Sequence, residues 1–98
     1  MAARVQEAPF DFSAEVAAFQ ADVQNAGAVV TFTGVVRDDS GCLDHMFIEH
    51  YPAMTEAALQ KFALQAMEKF GLEDALVIHR YGVLAPGEAI RMRSLRHI

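Results

Sequence analysis

The segment 28–36, AVVTFTGVV, constrains this chain most. It is rich in β-branched residues and has no helical period, so it reads as a strand. Val30, Phe32 and Val36 fall on one face, and Val29, Thr31, Thr33 and Val35 on the other. Gly34 interrupts the first face, which predicts a bulge or a close approach by another backbone. Arg37 ends the strand, and Asp38-Asp39-Ser40-Gly41 is a turn.

Other elements follow from spacing. Phe10 and Phe12 alternate with Asp11, as in a short strand. Ser13 is a candidate N-cap with Glu15 in the first turn, and Val16, Phe19 and Val23 follow helical spacing, so a helix is predicted at about 14–25. Gly27 suits its stop. Residues 46–51 form a second extended run closed by Pro52. Thr55 then caps a second helix, in which Leu59, Phe62, Ala63, Ala66, Met67 and Phe70 make an apolar stripe ended by Gly71. Residues 75–81 are a further strand. Gly82, Pro86 and Gly87 punctuate a loop, and Ile90 and Met92 begin a strand that loses its apolar pattern at once. The order is β-α-β-β-α-β-β, with the second and third strands close enough in sequence to pair antiparallel. The fold class is α+β, a mixed, mostly antiparallel sheet with two helices.

Length sets one domain, and a chain of 98 residues buries only about 60–65% of its unfolded surface. The core is thin, so partner chains would help. No apolar run reaches the roughly 20 residues of a membrane span. The N-terminus lacks the apolar stretch of a signal peptide, and a single Cys42 cannot form an internal disulfide, so a cytoplasmic location is expected. Net charge is −5, unevenly spread. Residues 91–98 hold Arg91, Arg93 and Arg96 and no acid. The remainder carries five basic residues against 13 acidic ones, which argues against a nucleic-acid backbone as partner.

Arg37 is the first candidate for chemistry, because a strand-end guanidinium can hold a phosphate or carboxylate in a planar fork. The plain alternative is an exposed arginine pairing with Asp38 or Asp39. His79 and Arg80 lie on opposite faces of one strand, with a structural role favoured for the pair. Glu49 and Tyr51 share a face opposite His50, and packing with a polar pairing is favoured there. No metal site is expected: His45 and His50 fall on opposite faces, and Cys42 has no thiol partner. Cys42 as a nucleophile lacks any sign of activation. From the residues alone the chain is a small α+β domain with a possible anion-binding arginine.

Three ordered segments add more. Residues 27–37 (GAVVTFTGVVR), 48–54 (IEHYPAM) and 77–82 (VIHRYG, followed by Leu84 and Gly87-Glu88) resemble the signatures of the molybdopterin synthase catalytic (large) subunit family, MoaE. The likeness runs from about residue 8 to residue 90. It implies an α/β-hammerhead-like fold for residues 1–90. It also implies sulfur transfer from the C-terminal thiocarboxylate of a small ubiquitin-like subunit to cyclic pyranopterin monophosphate, forming the molybdopterin dithiolene. The implied assembly is a dimer of large subunits with a small subunit at each end. No metal or resident cofactor is implied. Val35, Val36 and Arg37 become substrate-binding residues, and His79 and Arg80 supporting ones.

The likeness stops near residue 90. Family members continue with a His-Arg pair, a long helix and catalytic lysines. Here residues 91–98, RMRSLRHI, form an atypical basic tail, as a truncated or altered ending would. Arg96-His97 has the reverse order, and Lys61 and Lys69 match no family lysine, so the catalytic residues are unassigned. Two further readings stay open: a non-catalytic remnant that binds only a partner chain or a pterin, and an unrelated anion-binding domain.

Overall fold

The computed structural model describes residues 1–21, 27–38, 41, 45–49 and 52–97. Its elements are β1 (Ala2–Gln6), α1 (Phe12–Ala21), β2 (Ala28–Val35), β3 (Met46–Ile48), α2 (Pro52–Phe70), β4 (Leu72–Arg80), β5 (Gly82–Leu84) and β6 (Ala89–His97). Four strands form the main sheet in the order β1-β4-β6-β2. β1 runs parallel to β4, while β4 with β6 and β6 with β2 are antiparallel. β3 and β5 form a separate antiparallel pair. The class is therefore the α+β, mostly antiparallel arrangement read from the sequence.

Several local expectations are corrected. The first strand is not at Phe10–Phe12 but at Ala2–Gln6, where parallel pairing with β4 outweighs a weak apolar pattern. Phe10 packs instead against the core of Leu76, Ile78 and Met92, beside Val16 and Phe19. Asp11, not Ser13, caps α1: its side-chain oxygen accepts from the Ala14 N–H at 3.1 Å, and its carbonyl accepts from the Glu15 N–H at 2.9 Å. Val23 and the predicted end of that helix lie outside the described residues. α2 starts at Pro52, whose missing N–H costs nothing in a first turn, so Thr55 lies inside the helix rather than at its cap.

β2 does not pair with β3. The nine-residue β6 offers β2 a full-length ladder, from Ala28 opposite His97 to Gly34 opposite Arg91, which the three-residue β3 cannot match. β3 takes the unpredicted β5 instead. The basic segment is also ordered differently from the expected tail. Residues 91–97 continue β6, which lies between β4 and β2. Backbone ladders do not need apolar side chains, and alternation sorts the charges. Met92 and Ser94 are fully buried, Arg96 is buried against Asp74, and Arg91 and Arg93 are exposed on the other face.

The sheet thus has two different faces. One packs Leu76, Ile78 and Met92 under α1, and each fully buried apolar side chain contributes about 1.5–3 kcal/mol. On this face the Thr31 and Ser94 hydroxyls lie 3.1 Å apart and satisfy each other. The other face carries α2, which packs on β4 and β1.

Candidate functional site

The end of β2 is where the predicted substrate residues lie. Pairing slips between Gly34, opposite Arg91, and Val35, opposite Ala89, so the ladder is irregular beside the glycine, but the extra residue is Ile90 on β6 rather than one on β2. Beyond it the chain is held from one side. The Val36 N–H donates to the Glu88 carbonyl at 2.9 Å, and the Val36 carbonyl accepts from the Gly87 N–H at 2.9 Å. Val36 is buried, whereas Val35 and Arg37 on either side are exposed. Asp38 then closes the turn by accepting from the Gly41 N–H at 2.8 Å. The arrangement presents one apolar and one cationic side chain on a backbone fixed at its middle residue.

Arg80 supports that end from beneath. It is only 4% exposed. Its Nη1 donates to Glu88 Oε2 at 2.9 Å and to the Ala89 carbonyl at 3.4 Å. Its Nε and Nη2 donate to the Glu7 carbonyl at 3.2 and 2.9 Å. Arg80 therefore ties the exit of β1 to residues 88–89, and Glu88 in turn carries Val36. The supporting role foreseen for Arg80 has a physical basis: it is a strut, remote from solvent. His79 points to the opposite face, and its Nδ1 lies 2.8 Å from the Arg80 carbonyl.

A second charged cluster was not foreseen. Arg96 Nη2 donates to Asp74 Oδ2 at 2.8 Å and Nη1 to the Phe19 carbonyl at 3.2 Å, with the guanidinium 5.0 Å from the Phe19 ring. The Met1 ammonium reaches Asp74 Oδ1 at 2.7 Å. Burial pushes the Asp74 carboxyl up. Hydrogen bonds from the terminal ammonium and the Ala75 N–H, with the charges of that ammonium and Arg96, outweigh it and leave the carboxyl below its ordinary value. The only sequence signal for this cluster was the period-two pattern of residues 92, 94 and 96.

Among the described residues the remaining candidates do not gather at one place. Glu49 and His45 are exposed beside β3, while Cys42, His50 and Tyr51 lie outside the described residues. Lys61 and Lys69 are exposed on α2, Lys69 over the Phe70 ring at 5.4 Å. Among the described residues no helix is long and apolar enough to cross a membrane.

Known proteins resemble this arrangement. The sequence pattern of the family described as MoaE protein matches residues 5–92. The molybdopterin synthase catalytic subunit of Cereibacter sphaeroides is 54% identical over 88 residues, covering 90% of this chain and 60% of that protein. The same subunit of Pseudomonas aeruginosa is 48% identical, covering 92% and 61%. The chain thus spans about three fifths of the length of these relatives. Among solved structures, the molybdopterin biosynthesis MoaE protein of Burkholderia ambifaria superposes with a TM-score of 0.86 at 39% identity, covering 99% of this chain and 64% of that one. A molybdopterin synthase structure from Staphylococcus aureus shares the fold, with a TM-score of 0.80 at 24% identity.

Proposed function

We propose, from the premise that this chain belongs to the MoaE protein family, that it is the precursor-binding part of a molybdopterin synthase catalytic subunit. The substrate is then cyclic pyranopterin monophosphate, and the sulfur donor is the C-terminal thiocarboxylate of a small ubiquitin-like subunit. Two copies of the large subunit and two small subunits make the working assembly.

Arg37 serves as the anchor for the anionic precursor. A guanidinium offers paired N–H donors to a phosphate and stays charged at every relevant pH. Val35 supplies an apolar wall beside it. Val36 faces inward and contributes its backbone, which holds the position of both neighbours. Sulfur transfer needs the thiocarboxylate held against the accepting carbon of the precursor, so a fixed anchor raises the rate by orientation. Positive charge around the anionic intermediates lowers the barrier further.

Proton transfer needs a different group. A guanidinium does not give up its proton near neutral pH. The two lysines of the sequence, Lys61 and Lys69, are both on α2 and match no family lysine. We assign binding to this polypeptide and no complete catalytic cycle.

The observation that carries this reading is Arg37 at the end of a family-matched strand whose next residue inward is bonded through both its N–H and its carbonyl. The test is calorimetric titration of the pterin precursor into the wild-type chain and into Arg37→Ala. Losing a charge-assisted contact weakens binding by about 1.5–3 kcal/mol. Folding is retained, because exposed positions shift stability by only about 0.5 kcal/mol. Equal affinities for the two proteins would refute it.

A further inference from the structure

β2 ends at Val35, yet Val36 beyond it is buried. Its N–H and its carbonyl are taken by Glu88 and Gly87, which belong to the turn between β5 and β6. That turn has a defined form. The Glu88 N–H donates to the Ala85 carbonyl at 3.1 Å, Pro86 takes the second place, and Gly87, at φ 85°, takes the third. This is a type II turn, which needs a positive φ at its third residue. A Cβ on Gly87 would meet nothing within 4 Å, so the backbone angle, not crowding, calls for glycine here.

The turn is tied back to the body of the protein by its one charged side chain. Glu88 Oε2 accepts from Arg80 Nη1 at 2.9 Å. Arg80 is fixed in turn by the Glu7 carbonyl, which accepts from its Nε and Nη2. A line of bonds thus runs from the exit of β1 through Arg80, Glu88 and Val36 to the backbone of Arg37. Every residue on it lies within 5–92, the family-matched segment.

We propose, resting on the pterin reading above, that Glu88 is a positioning residue for Arg37. It touches no ligand and acts through the backbone of Val36. Fixing the backbone of a residue carries an entropic cost. Where the fold has already fixed it, the ligand does not bear that cost. Charge alone predicts the opposite sign. The chain is acidic, at −5, so removing a carboxylate should favour an anion. A weaker affinity on losing the Glu88 side chain therefore reports position rather than charge.

The test is titration of the pterin precursor into the full 98-residue chain and its variants. Glu88→Ala should weaken binding by about fivefold, within the range of couplings inside one hydrogen-bonded network. Glu88→Gln keeps an oxygen for Arg80 and should stay within about twofold of wild type. In an Arg37→Ala background, Glu88→Ala should have no further effect, because the group it positions is gone. Amide exchange at Val36 should be slow in the wild-type chain and faster in Glu88→Ala, with the Ile78 and Met92 amides unchanged. If Glu88→Ala does not fold, Gly87→Ala takes its place. It strains the same turn, leaves Arg80 bonded, and should show the same loss and the same dependence on Arg37. A loss in Arg37→Ala with none in Glu88→Ala would overturn this inference and leave the pterin reading standing. Equal binding by wild type and Arg37→Ala would remove both. Additive losses in the double variant, no rescue by Glu88→Gln, or fast exchange at Val36 in the wild-type chain would also overturn it.

Discussion

The Arg80 guanidinium, buried at the end of β4, meets the Glu88 carboxylate at 2.9 Å, and Glu88 in turn accepts the Val36 N–H through its backbone. One buried cation thus fixes the strand end that presents Arg37. Removing it leaves the Glu7 carbonyl, which accepts two of its N–H groups, without those donors.

Arg80→Met should therefore cost about 3–5 kcal/mol in urea unfolding, as breaking a buried charged network does. Glu88→Gln should cost no more than about 1 kcal/mol, because that carboxylate is 43% exposed and partly screened. Equal losses in the two variants would mean that the ion pair, rather than the carbonyl bonds, holds the strut.

Asp74 gives a pH-dependent expectation. Its folded pKa is depressed, so its contribution is present above the unfolded value near 3.8 and is lost as pH falls through the lower folded value. Asp74→Asn should then destabilise the chain at pH 7, and the gap to wild type should narrow as pH falls below about 4. Urea midpoints at pH 7, 4 and 2.5 measure it. A gap that stays constant over that range would show that the Met1 and Arg96 contacts are inconsequential.

Two glycines separate backbone strain from contact. Gly71 and Gly82 both have positive φ, 63° and 89°. A Cβ on Gly71 meets nothing within 4 Å, whereas on Gly82 it would lie 3.2 Å from Glu7 Cγ. Gly71→Ala should cost about 1–2 kcal/mol from the left-handed backbone alone. Gly82→Ala should cost more, because Glu7 is held through its carbonyl by Arg80. Thermal unfolding of both variants checks the order, which reverses if Glu7 swings aside freely.

What the sequence disclosed depended on how locally each element is encoded. β2 and the α2 stripe were legible because β-branched content and helical spacing are properties of the segment itself. β1 was not: AARVQ has no strand signature and becomes one by pairing with β4, a partner some seventy residues away. β6 was half read, because its arginines broke the apolar alternation. In the structure Arg96 is neutralised by Asp74, and Arg91 and Arg93 lie on the opposite face. At the end of β2, the exposed place of Arg37 was readable from its position, and Gly34 marked the irregular pairing, although the extra residue is Ile90 of β6. The bonds of Val36 to Gly87 and Glu88 join distant parts of the chain, and no local pattern reports them.

The last expectation concerns turnover. Mixed with thiocarboxylated small subunit and pterin precursor, this 98-residue polypeptide should bind precursor but form no dithiolene at a useful rate. On the proposed reading, binding draws on the β2 end, held by the Val36 bonds and the Arg80 strut. Turnover asks for more, since each proton transfer needs an acid or base within hydrogen-bond reach of the reacting atoms. Arg37 cannot serve, because its guanidinium remains protonated near neutral pH. Lys61 and Lys69 are exposed on α2, away from β2, so Lys61→Ala and Lys69→Ala should leave precursor affinity unchanged. Arg91 and Arg93 add positive charge but no base. Catalytic groups act as a unit, so removing several takes a rate to background rather than to a fraction of normal. Product formation is compared with that of a full-length relative under identical conditions. Turnover within about tenfold of that control, a barrier difference of about 1.4 kcal/mol, would show that these residues suffice for chemistry.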